Sequence, residues 1–233
     1  MPAFSMTPIA PSLALAVCFL VAASQTATSG PPQRPPTWPA TFSVSFQEEQ
    51  HISVILISRN TGAWYYDFAN RRARFDHSHG QLDFFCDGVG LRPRERRSEC
   101  QLFFTPLGMF VHFPRDQMCC RACGATEGCG VLKPTWLTGA TYLGNETIDG
   151  RTCHGWEIQG AAATDRWYQA EDGTPCQYWE KIVYPPHAVH TITFNTTSYQ
   201  LGPIPGSVFD VPKYCNVTCP KKPPHQQGAH GTS

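Results

Sequence analysis

The stretch Ala40-Thr-Phe-Ser-Val-Ser-Phe46 alternates apolar and polar residues without a break and places Phe42, Val44 and Phe46 on one side. A period of two is the signature of a strand with one buried face. Working outward, Ile52 to Ile57 is rich in β-branched residues, and Asn60-Thr-Gly62 precedes Trp64-Tyr-Tyr-Asp-Phe68. That spacing predicts a hairpin turned at Asn60–Gly62. Arg71 to Asp76, Gln81 to Phe85, Gln101 to Phe104 and Gly108 to Phe113 continue the series, as do His154 to Gln159, Arg166 to Gln169, Cys176 to Tyr184 and Val189 to Phe194. Asp172-Gly173 supplies a further hairpin turn. Pro134 to Leu137 opens one helical turn at most. The expected fold is all-β, a curved antiparallel sheet forming an open half-barrel.

Hydrophobic content of 41% and aromatic content of 12% are enough for a sizeable core. Charged residues make up 15%, below the roughly 25% usual for soluble domains. Eighteen basic residues balance eighteen acidic ones, so nothing draws the chain generally to nucleic acid or acidic surfaces. The first thirty residues carry no Asp, Glu, Lys or Arg and enclose the apolar run Leu13 to Ala23. Its length fits a signal peptide cleaved after Ala23 and is too short to span a bilayer. The expected organisation is a signal peptide (1–23), a proline-rich leader (24–39), a single β-rich domain (40–219) and a disordered tail (220–233). No later segment approaches transmembrane length, and the mature protein is expected to be secreted.

Cys18 leaves with the signal. Ten cysteines remain: Cys86, Cys100, Cys119, Cys120, Cys123, Cys129, Cys153, Cys176, Cys215 and Cys219. An even number in a secretory chain reads as a disulfide framework, whose connectivity spacing alone leaves open. Three sequons, at Asn145, Asn195 and Asn216, point to an N-glycosylated protein.

Cys120-Arg-Ala-Cys123 could suggest zinc, but no second ligand pair follows at zinc-finger spacing, so bridges pinning a loop are expected. His77-Ser-His79 reads as a polar turn running into Gly80, and His187 and His190 flank the start of a strand. Glu48 and Glu49 are adjacent and face opposite sides of a strand, which rules them out as a catalytic pair. The GxSxG, HExxH, P-loop and dinucleotide glycine patterns do not occur. No metal and no cofactor is expected. The candidate ligand contacts are Trp64, Trp136, Trp156, Trp167, Tyr168 and Trp179, since a curved sheet can offer such rings to an apolar ligand and their polar atoms to its head group.

The run Leu132-Lys-Pro-Thr-Trp-Leu-Thr-Gly-Ala-Thr-Tyr-Leu-Gly144, followed by Asp149-Gly150, Cys153 and Trp156, resembles a family of secreted plant and algal proteins sharing L-x-P-x-W-L-x-G-A-x-Y-L-G and then D-G-x-x-C-x-x-W. Sugar transfer, which some of those relatives are credited with, would need an Asp-x-Asp metal motif that this chain lacks. More distantly, Cys100-Gln-Leu-Phe-Phe104, Gly108-Met-Phe-Val-His-Phe113 and the closing Cys215 and Cys219 are similar to ependymin-related proteins, whose fold resembles the lipoprotein carriers LolA and LolB. That resemblance implies a sheet wrapped around a hydrophobic cavity. It also implies pairing of Cys100 with Cys219, and of Cys119 or Cys120 with Cys215. The functional expectation is a secreted glycoprotein that binds a lipid-like ligand. The alternatives are a structural or adhesive matrix or cell-wall glycoprotein and, less favoured, a glycosyl-transferring enzyme.

Overall fold

The computed structural model describes residues 34–95 and 97–221. The expected signal peptide, most of the leader and nearly all of the tail lie outside these residues. Within them the chain forms β1 (Thr41–Ile52), β2 (Ile55–Asp67), β3 (Arg72–His77), a short α1 (Phe84–Gly88), β4 (Cys100–Thr105), β5 (Gly108–Phe113), β6 (Met118–Cys123), β7 (Thr141–Ile148), β8 (Arg151–Gln159), β9 (Ala163–Gln169), β10 (Pro175–Ile182), β11 (Ala188–Phe194) and β12 (Gln200–Leu201). All twelve strands join one antiparallel sheet in the order β6-β5-β4-β3-β2-β1-β11-β10-β9-β8-β7, with β12 added beside β1. The fold is all-β and the sheet does not close.

Two meanders explain this order. The chain runs outward from β1 to the edge strand β6, crosses to the far edge at β7, and returns strand by strand until β11 pairs with β1. The connection 124–140 must therefore pass over one face. Ten inter-strand steps of about 4.8 Å span about 48 Å when flat, close to the reach of that connection even if fully extended. Curling of the sheet resolves the conflict. Trp64 on β2 and Trp167 on β9 stand four strands apart, about 19 Å on a flat sheet, yet their ring centroids are 6.4 Å apart.

The inner face is filled with rings. Phe42, Val44 and Phe46, the alternating residues of β1, pack with Trp38, Trp64, Tyr66, Trp156, Trp167, Ile192 and Phe194. The crossing connection covers them and adds Leu137, wholly buried, with Trp136 beside it. It is tied down where Trp38 N–H donates to Pro134 O at 3.0 Å and Tyr66 O–H to Leu132 O at 2.8 Å. A second core under β4, β5 and β6 gathers Leu102, Met109, Val111 and Phe113 with most of the half-cystines.

Several sequence expectations change. β2 runs straight through Asn60-Thr-Gly62, and the hairpin turns instead at Ser53–Val54. Gly62 is a glycine for reasons of space: it lies opposite Phe46, and a Cβ there would meet the Phe46 ring at 2.5 Å and the Asp76 carbonyl oxygen at 2.0 Å. Asn60, buried, holds the exit of β3 through His79 N–H and His79 O. The strand expected over Gln81 to Phe85 is a 3-10 turn leading into α1, because the Asp83 carboxylate accepts the Cys86 N–H at 2.8 Å and caps a helix. Strands β6 and β7 were not anticipated.

The bridges are Cys86–Cys100, Cys119–Cys215, Cys120–Cys219, Cys123–Cys129 and Cys153–Cys176. This corrects the expected Cys100–Cys219 pair. The segment carrying Cys219 runs beside β6, bonded to Arg121, three strand positions away from Cys100 on β4. With β6 and β5 lying between them, three strand spacings of about 14 Å in all exceed the roughly 7 Å between Cα atoms that a disulfide can span. Of the two partners left open for Cys215, the structure selects Cys119.

Candidate functional site

The alternation that buries Phe42, Val44 and Phe46 continues along β1 to Glu48 and Gln50, so two polar side chains enter the interior. Glu48 is 1% exposed. His190 reaches it from β11, its Nε2 lying 2.8 Å from Glu48 Oε1, within ion-pair range but off the line of a hydrogen bond. His77 comes from the end of β3, with Nε2 3.3 Å from Glu48 Oε2 and 3.6 Å from Asp83 Oδ2. Glu180 on β10 stands 3.6 Å from His190 Nδ1. Gln50 donates to Glu48 Oε1 at 2.9 Å and accepts from Ser58 Oγ at 3.1 Å. Three carboxylates and two imidazoles from β1, β3, β10, β11 and the start of α1 thus form one network.

Burial opposes the charge on Glu48, but the contacts and charges of His190 and His77 outweigh it and hold the carboxyl well below the usual range. Burial likewise opposes charge on His190, and Glu180 and Glu48 push its pKa well up. His77 is raised against the same desolvation by Asp83 and Glu48. Asp83 goes the other way: burial lifts it to about 6 even though His77 favours its ionised form. His190, pushed up to about 10, therefore carries its proton at neutral pH. His77, expected in a polar turn, is instead buried, with the carboxylates of Glu48 and Asp83 beside it.

Beside this network the sheet end opens in a cleft of about 70 Å³. Ile52, Ile57, Phe84, Phe85, Ile182, Ala188 and Val189 make its apolar wall, and Gln50, Glu180 and His190 its polar floor. The ladder places Ile57 there: between the pairs Gln50–Ser58 and His51–Leu56 the register slips by one residue, so Ile57 is extra on β2. Around the cleft Val54, Ile55, Leu56, Ile57 and Phe84 are 93%, 63%, 42%, 53% and 47% exposed. Soluble proteins seldom leave such a run uncovered without an interaction to serve.

The sequence candidates divide between the faces. Trp64, Trp136, Trp156 and Trp167 all join the inner aromatic cluster, with Trp64, Trp156 and Trp167 at 4%, 2% and 2% exposure. Tyr168 lies on the opposite face against the Cys153–Cys176 bridge, and Trp179 lies under the Arg166 guanidinium, 4.3 Å from its ring centre. The cleft and the charged network were not anticipated. The one local signal was the continuing alternation, which put Glu48 and Gln50 in register with Phe46.

His77, Asp83 and Cys86 bring ligand-type atoms within 4.8 Å of one another. Cys86 Sγ is bonded to Cys100, which leaves two donors, too few for a metal site. The other cysteines of the fold are paired as well, so the CxxC serves the disulfide framework. On the outer face Ser45, Gln47, Thr61, Asp76, Arg97, Arg115 and Asn195 line an open polar groove of about 610 Å³. Among the described residues no helix is long and apolar enough to cross a membrane.

No curated protein matches the sequence. Among solved structures, the chain is similar to an uncharacterized conserved protein from Thermus thermophilus, at 9% identity and a TM-score of 0.45 over 77% of this chain and 90% of that one. It is similar to a LolA superfamily protein from Nitrosomonas europaea, at 12% identity and a TM-score of 0.39 over 76% and 92%. It is also similar to a chain of the MucA/MucB complex of Pseudomonas aeruginosa, at 12% identity and a TM-score of 0.39 over 76% and 58%. One family profile, described as "Domain of unknown function (DUF8395)", matches residues 37–215, from the start of the aromatic core to the half-cystine that closes onto β6, and the chain belongs to that family.

Proposed function

We propose that this protein is a secreted binding protein for an amphiphilic, lipid-like ligand, held at the open end of its sheet. The observation that carries this reading is a cleft whose wall is apolar, with Ile57 and Phe84 53% and 47% exposed along it, and whose polar residues are Gln50, Glu180 and His190. Apolar burial at about 25 cal/mol per Å² supplies the affinity. The small cleft takes the end of a chain or a branched group, the rest of which lies along Ile57 and Phe84, and the Glu180 carboxylate orients a donor on the ligand. The indoles Trp64, Trp156 and Trp167 serve as packed core rather than as ligand contacts. The resemblance to ependymin-related carriers points the same way, and so do the sequons, since Asn145, Asn195 and Asn216 are all exposed.

The test is mass spectrometry of an organic extract of the full chain from a eukaryotic secretory host, followed by titration with a soluble fluorescent fatty-acyl probe. A bound hydrophobic compound near one-to-one is expected, with at least about tenfold weaker probe binding by Ala188→Trp, which fills the cleft. An empty extract together with no probe binding by the folded protein would sink the proposal. The polar outer groove favours a second reading, adhesion to matrix or cell-wall polysaccharide. A polysaccharide pull-down separates the two, because a carrier stays in the supernatant.

A further inference from the structure

Two hairpin tips project side by side from the end of the sheet that carries the cleft. Ile52 pairs with Ile55 on one side and Ala188 on the other, so the Ser53–Val54 turn and the 183–187 connection leave adjacent strands at the same end. The first tip presents Val54, Ile55, Leu56 and Ile57 to solvent. The second presents Tyr184, 45% exposed, with Pro185 and Pro186 also exposed. Exposed Lys181 and His187 stand beside them. The nearby acids are turned away from the tips, Glu180 toward His190 and Asp165 toward the Tyr178 hydroxyl at 2.6 Å. Val54 is not part of the cleft wall.

We propose that this end docks on a lipid bilayer, with the Val54–Leu56 tip seated at the boundary between head groups and acyl chains. The shape is that of an inserting element: the apolar residues sit on a projecting tip. The backbone is suited to the step, because the ladder is paired as far as Ile52–Ile55 and insertion takes only the amides of one turn out of water. The flanking chemistry fits the interface as well, since a tyrosine and a lysine hold an apolar body in the membrane and a polar end at the head groups. The proposal rests on the binding reading only in making the bilayer the source of the ligand.

The experiment is flotation of the full chain with phosphatidylcholine vesicles, with and without phosphatidylserine. The wild type is expected to float with both. Val54→Asp combined with Ile55→Asp should reduce vesicle binding at least about tenfold, while melting temperature and probe binding at the cleft stay as in the wild type. Ala188→Trp should float normally and lose only the probe, so the two proposals fail separately. Wild-type protein that stays at the bottom of the gradient overturns docking, as does a double variant that floats equally well. Flotation confined to phosphatidylserine vesicles and abolished by salt also overturns it, because the contact would then be electrostatic. A dimer that the double variant dissociates, with no flotation, assigns the tip to a second copy and overturns it too.

Discussion

Glu48 stands on the inner side of the central strand, where a lone carboxylate would be costly, and it stays charged because His77 and His190 meet both of its oxygens. Removing Glu48 leaves His77 and His190 with only the more distant carboxylates of Asp83 and Glu180, each 3.6 Å away. Glu48→Gln is therefore expected to lose about 3–5 kcal/mol in urea denaturation. The network also sets a pH dependence. His77 and His190 bind their protons more tightly in the folded chain than at the ordinary 6.5, so their stabilisation is complete below pH 6.5 and fades as pH rises toward their folded values. Asp83, raised to about 6, adds stability as pH falls through that value. Glu48 is lowered, so its contribution is present above 4.5 and is lost in stronger acid. Thermal melts from pH 4 to 9 should peak between about 4.5 and 6 and decline on the alkaline side, and His190→Asn should flatten that decline. At this scale the sequence was legible in part. Alternation separated Glu48 from Glu49, which is half-exposed and paired with Arg59. The imidazoles that make position 48 tenable come from strands separated by long stretches of chain, and no local pattern announces them.

The element that does most to shape the interior is a connection without strands. Segment 124–140 joins the two edges of the sheet across its inner face and seals the aromatic cluster with Leu137. Leu137→Ala should lower stability by about 2–5 kcal/mol, because a wholly buried side chain is removed from a site walled by rings that cannot collapse. Its effect on unfolding in denaturant should match that of a core strand position, whereas an ordinary surface loop substitution stays within about 0.5 kcal/mol. Strands with one buried face and a regular alternation, such as β1 and β11, were readable from pattern alone, and β4 and β5, buried on both faces, from their short apolar runs. β2 was divided because Asn60-Thr-Gly62 has turn chemistry, and the Phe46 ring that demands the glycine belongs to another strand. β6 escaped notice because its cysteines carry no hydropathic alternation, and α1 was read as a strand because its cap, Asp83, is set by the fold around it.

At the scale of the molecule, two bridges close long loops, Cys119–Cys215 across 96 residues and Cys120–Cys219 across 99, while Cys123–Cys129 closes only 6. Loop-closure entropy ranks their worth at about 4–5 kcal/mol for each long bridge and about 2 kcal/mol for the short one. Paired Cys→Ala variants should show that order in melting temperature, with peptide mapping of the unreduced protein confirming the five pairs. The even cysteine count was legible, but the partners were not, since pairing depends on which strands the topology sets side by side. The two long bridges have a further consequence. Adjacent residues of β6 point to opposite faces, and each is tied to the same C-terminal stretch, which lies along the strand with Arg121 N–H donating to Val217 O and Cys219 N–H to Arg121 O. The hydrogen-bonding margin of β6 is thereby taken at its middle, Arg121, and riveted on both faces. Joining molecules margin to margin into a fibre requires two vacant margins per molecule. Among the described residues the other end of the strand order is β7, so growth of that kind terminates at a pair, and a sugar chain on Asn145, in the middle of β7, would stop it at one.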